Sequence, residues 1–64
     1  MAAPTAATLG EEFQTWVFAQ GLPAEGDALE LLMSDIPTRE QRVWLTDFVQ
    51  RWEAAETDPD FWSA

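Results

Sequence analysis

The segment from Thr38 to Glu56, TREQRVWLTDFVQRWEAAE, dictates what the rest of the chain must accommodate. At about 100° per residue, Trp44, Leu45, Phe48, Val49, Trp52 and Ala55 fall within one arc of about 140°, with Gln41 and Glu56 inside it. Arg39, Glu40, Arg42, Thr46, Asp47, Gln50, Arg51 and Glu53 fill the opposite side, and only Val43 breaks the division. Pro37 followed by Thr38, with Gln41 three residues on, is a helix start with a capping box. No Gly or Pro interrupts the segment, so a helix of about five turns over 38–56 is predicted. Three of its buried-side residues are aromatic, and the remaining chain must fold over that stripe.

Sixty-four residues allow one domain, predicted to span 1–64 with 1–7 flexible. A chain of this size buries only about 60% of its unfolded surface. It has no Cys for a disulfide, and no Cys or His for a zinc site. Four Trp and four Phe are the available compensation, because each ring can bury on the order of 150–250 Å². A small aromatic core follows, with a homodimer through the aromatic stripe as the alternative way to complete it.

Thr8 and Glu11 have capping-box spacing and open a second predicted helix over 9–20, whose apolar arc holds Leu9, Phe13, Trp16 and Val17, with Gln20 inside it. Gly21 suits the left-handed position that ends a helix, and Leu22-Pro23 reinforces the stop. Phe18 points nearly opposite the arc; it either packs under the following segment, the favoured reading, or forms an exposed contact. In the connector, Asp27 and Glu30 have capping spacing, and Leu29, Leu32 and Met33 share one side of a short helix over 27–34. Asp58-Pro59 restarts a turn, and Phe61-Trp62 is an aromatic pair expected to dock on the core or a partner. The fold class is all-α: a small three-helix domain of two longer amphipathic helices joined by a short one.

Charge is the property with functional content. Twelve acids face three Arg and no Lys, for a net charge of −9. Residues 1–36 hold Glu11, Glu12, Glu25, Asp27, Glu30 and Asp35 without a base, and residues 53–64 hold Glu53, Glu56, Asp58 and Asp60 without a base. The three arginines lie between these blocks, within the long helix. Direct binding to nucleic acid or to an anionic membrane is disfavoured, since both require a cationic face. No apolar run is long enough for a transmembrane helix, and MAAPTAAT lacks the positive and apolar regions of a secretory signal. A cytoplasmic location is expected.

Several chemistries are set aside by residue type. Without His, Cys or Lys, the usual general base near neutral pH, the thiol nucleophile and the Schiff-base amine are all missing. Carboxylate pairs of the glycosidase kind need a cleft that so short a helical chain has little room to form. No catalytic residue is assigned. Asp58-Pro59-Asp60 lacks the Gly turn and closing Glu of a calcium loop, so neither metal nor cofactor is expected. Acyl carrier proteins place Asp before their attachment serine, whereas Met33-Ser34-Asp35 has the reverse order.

What remains is an acidic surface suited to a basic protein. A compact chain of this length is about 28 Å across, so nine net charges over that span give about one per 3 Å. Duplex DNA carries one per about 1.7 Å. In size, acidity, absence of catalytic residues and helical patterning, the chain resembles the small phage-encoded anti-CRISPR proteins of the DNA-mimic type that block type I Cascade. The resemblance implies binding to the DNA-entry surface of a Cas subunit in the host bacterial cytoplasm. Glu11, Glu12, Glu25, Asp27, Glu30 and Asp35 would be the contact set, with Glu53, Glu56, Asp58 and Asp60 as a second patch and Phe18 and Trp62 as apolar anchors. The rival expectation is a helical interaction module or antitoxin-like regulator that uses its aromatic stripe.

Overall fold

The computed structural model describes residues 4–23 and 26–62. These residues form three helices and no strand: α1 (Ala6–Gln20), α2 (Ala28–Met33) and α3 (Arg39–Ala55). The long helix starts as its sequence predicts. The Thr38 hydroxyl accepts the Gln41 N–H at 3.2 Å, and the Thr38 N–H donates to the Gln41 side-chain oxygen at 2.8 Å. Both are donors that a helix start would otherwise leave without a partner. Leu45 and Phe48 are fully buried, while Trp44, Val49, Trp52 and Ala55 pack around them.

Helix α1 runs antiparallel to α3, held by a ladder of side-chain pairs. Gln41 donates to Gln20 at 3.1 Å. Trp16 stacks on Trp44 with ring centroids 4.0 Å apart, and Phe13 meets Phe48 at 5.5 Å. Arg51 bridges to Glu12 at 2.9 Å. Positions fall along α1 as they rise along α3, which is the antiparallel register. Gly21 ends α1 with φ 69°, donating to the Phe18 carbonyl, and the Leu22 N–H donates to the Val17 carbonyl. The paired bonds form a Schellman motif, and a residue with a Cβ would be strained at that left-handed position.

The start of α1 differs from the sequence expectation. The helix begins at Ala6, not at residue 9, and its cap is Thr5 rather than Thr8. Thr8 instead occupies the third helical position, where its hydroxyl accepts the Thr5 N–H at 2.9 Å. Thr-x-x-Thr thus does what Thr-x-x-Glu suggested three residues later, and Ala6 and Ala7 have the intrinsic preference to extend the helix. The added turn is tied down because the Ala6 N–H donates to the Phe61 carbonyl at 2.8 Å. Residues 4–7 therefore belong to the fold, whereas residues 1–3 lie outside the described chain.

Helix α2 uses a different face from the one expected. Ala28 and Leu31 are buried and Leu32 is partly so, but Leu29 and Met33 are exposed. Apolar residues at five of its six positions left the pattern without a unique face. The Asp27 carboxylate starts α2 by accepting the Glu30 N–H at 2.9 Å. Its last turn is satisfied from α3: Arg42 donates to the Leu32 carbonyl at 2.7 Å and to the Ser34 carbonyl at 2.6 Å. Arg42, placed on the solvent side by periodicity, is thus a half-buried tie between helices.

After α3 the chain turns without glycine. The Thr57 hydroxyl donates to the Ala54 carbonyl, and the Asp58 N–H donates to the Ala55 carbonyl. Asp58 then accepts the Asp60 N–H at 2.9 Å, an Asx turn that reverses the chain. Phe61 enters the core with no exposed surface and meets Trp52 edge to face at 4.9 Å. The favoured packing of Phe18 does not occur: it is 89% exposed, near the end of α1 at Gln20.

Phe61→Ala should cost about 3–5 kcal/mol, the range for emptying a buried aromatic site. That is much of the stability of a domain this small, whereas Phe18→Ala should stay within about 0.5 kcal/mol. Arg42→Met should cost about 1–3 kcal/mol, because two carbonyls lose their donors. Urea unfolding followed by tryptophan fluorescence measures all three.

Candidate functional site

The carboxylates are distributed by the caps and helix faces just described. Glu11 is exposed on α1 and Glu30 on α2, while Asp35 is exposed beyond the end of α2. Asp27 is exposed and committed on one oxygen to capping α2. Glu53 and Glu56 are exposed at the end of α3, as is Asp60 in the turn. Asp58 is half-buried and engaged in that turn. Trp62 is 68% exposed, its ring edge against Trp52 and Phe61. Glu25, expected to join the contact set, lies outside the described residues.

Glu12 is drawn out of that set. Arg51 grips both of its oxygens, at 2.9 and 3.1 Å, and also donates to Asp47 at 3.0 Å. The guanidinium lies 5.5 Å from the centre of the Phe48 ring. The hydrogen bond that Arg51 donates to Glu12 is the main reason the Arg51 pKa is raised above its ordinary value, opposed by slight burial and assisted by the charges of Glu12 and Asp47. Arg51 is thus neutralised within the molecule, and Arg42 is spent on the end of α2. Arg39 is the one arginine exposed to solvent without an ion pair among the described residues.

The fold also joins two acidic segments that the sequence keeps apart. A groove of about 440 Å³ opens between α1, the start of α2 and the second half of α3. Phe13, Val17, Phe48, Val49 and Trp52 form its apolar walls. Asp27 from the first acidic block and Glu53 and Glu56 from the second stand at its edge, all exposed. No arginine lines it. Gly10 opens the α1 side, since a Cβ there would meet no atom within 4 Å. Sequence reasoning passed over Gly10, although a lone Gly inside a helical pattern is a recognisable signal of this kind.

No three described carboxylates converge as a metal site would require, and no described helix is long and apolar enough to cross a membrane. Comparison with protein-family models, curated proteins and solved structures found no match to this chain.

Arg51→Met keeps the side-chain stem over Phe48 but removes both ion pairs. The pairs are about 40% exposed or more, so the loss should not exceed about 1 kcal/mol and should shrink in high salt. Because the arginine pKa is raised, a rise in pH removes the guanidinium's contribution only in strong alkali above its ordinary range. The wild-type-to-variant difference should therefore show no arginine titration between pH 7 and pH 9, roughly the window set by the reference values. Urea unfolding at two salt concentrations checks both statements.

Proposed function

We propose that this protein is an acidic decoy that occupies the cationic nucleic-acid-binding surface of another protein and keeps DNA from it. The observation that carries this reading is how the positive charge is spent. Arg51 is held by Glu12 and Asp47, and Arg42 by backbone carbonyls, while carboxylates on all three helices and the final turn face solvent. Solvent therefore meets a field that is almost entirely negative.

The dimensions support the same reading. The chain is 33 Å along its longest axis, so a net charge of −9 corresponds to about one charge per 3.7 Å. That is about half the linear density of duplex DNA. On this reading Glu11, Glu30 and Asp35 meet the partner directly, and Glu12 acts only in holding α1 to α3. Phe18 and Trp62 supply apolar contact that slows dissociation. By the resemblance of its overall character, the partner is a Cas subunit of a type I Cascade complex in a bacterial cytoplasm. The protein acts by binding and not by catalysis.

The exposure of Phe18, Met33, Ile36 and Trp62 favours a second reading, a helical interaction module that binds through apolar contacts. Trp44 and Trp52, which that reading also enlists, are partly buried against Trp16 and Phe61.

Immobilised protein exposed to bacterial lysate separates the two. A decoy should retain a nucleic-acid-binding complex at about 100 mM salt, lose it at about 500 mM as the Debye length falls, and release it to competing duplex DNA. Glu25→Lys, Asp27→Asn, Glu30→Lys and Asp35→Lys together should abolish retention with helicity unchanged, the asparagine preserving the α2 cap. Retention by the quadruple variant, or capture that survives high salt, sinks the decoy reading.

A further inference from the structure

We infer that the groove between α1, α2 and α3 is a docking site for an amphipathic cationic helix. Its occupant presents leucine-like side chains to the floor and lysine or arginine to the rim. The inference goes beyond the decoy reading and does not require that the partner bind nucleic acid.

Three features of the groove agree on this chemistry. Its walls are apolar and aromatic; Val17 and Phe48 are buried at its base, while Phe13, Val49 and Trp52 stay partly exposed, so a further apolar surface can be buried against them. Its volume of about 440 Å³ is that of a site for several side chains, within the usual range for ligand clefts. Asp27, Glu53 and Glu56 surround it, and neither Glu53 nor Glu56 has an ion-pair partner among the described residues. An apolar floor inside an acidic rim matches a helix with one apolar stripe flanked by cations. A second copy of this chain fits poorly, since two molecules of charge −9 would bring their carboxylates together.

The exposed hydrophobics extend the same surface. Leu29, 49% exposed, lines the groove at the start of α2. Phe18, 89% exposed, lies one turn along α1 from Gln14, a lining residue, just outside the groove itself.

Gly10 provides the decisive variant. Gly10 lines the groove and a Cβ there would meet no atom within 4 Å, so the side chain of Gly10→Leu should start in open space and occupy the groove. A leucine should also favour the helix over glycine, so loss of binding would not reflect loss of folding.

The probe is a synthetic 14-residue helical peptide of leucine on one face and lysine on the other. It is added to isotope-labelled full chain and followed by amide chemical shifts. Shifts should concentrate at Gly10, Phe13, Val17, Val49 and Trp52. Gly10→Leu should weaken binding at least tenfold, and Glu53→Gln with Glu56→Gln at least threefold. Peptides with serine in place of leucine, or glutamate in place of lysine, should leave the groove unperturbed. Equal binding of the serine peptide, unchanged affinity of Gly10→Leu, or shifts spread over the acidic surface away from the groove would overturn the inference. So would a concentration-dependent dimer, seen by sedimentation without peptide and abolished by Gly10→Leu, because the occupant would then be a second copy. Failure here leaves the salt-sensitive capture by other carboxylates intact, and the two readings can fall separately.

Discussion

The fold depends on the aromatic stripe of α3. Phe48 sits at its centre, touching Phe13 across the helix pair and Trp44 and Trp52 along its own helix, with the Arg51 guanidinium beside its ring. Trp44 recruits the middle of α1 through Trp16, and Trp52 recruits the last turn through Phe61. The sequence has no Cys for a disulfide, and among the described residues no polar side chain is fully buried. Large rings with preferred relative orientations therefore do two tasks together: they remove much surface from water and they fix how the helices face one another. In a chain of this length, smaller aliphatic side chains would supply less of both.

The polar side chains follow a complementary logic. Threonine and aspartate close the helix starts, and Arg42 closes the end of α2 from the neighbouring helix. Arg51 then gathers two acids at the junction of α1 and α3. Backbone satisfaction and cross-helix pairing consume two of the three cations. The negative surface is thus a consequence of internal construction as well as of composition, since even the few bases present are turned to structural use.

Much of this was legible from residue order. The amphipathic arc of α3, its Thr38–Gln41 box and the Gly21 stop follow from local rules that depend on few residues; of the Phe61-Trp62 pair, expected on the core or a partner, Phe61 enters the core and Trp62 stays 68% exposed. The start of α1 did not, because Thr5 and Thr8 both head acceptable capping patterns, and the contact that selects the earlier one comes from Phe61, 55 positions along the chain. The face of α2 was equally open, with apolar residues around nearly all of it. The role of Arg42 could not be read from periodicity, which sees one helix at a time. At the acidic surface, the segregation of charge was visible, but not the removal of Glu12 by Arg51 or the meeting of Asp27 with Glu53 and Glu56 around one groove. Those are properties of helix pairing, and pairing is where sequence rules are weakest.

The hydrogen bond from Ala6 to Phe61 has a topological consequence. It sets the points where the folded unit is entered and left side by side, with 2.8 Å between donor and acceptor. A body whose entrance and exit share one spot can be carried inside a surface loop of another protein with little strain on its host. The three helices are therefore portable as a cassette. An acidic surface of this kind could be installed on an unrelated scaffold through a single site, with both junctions at the same corner.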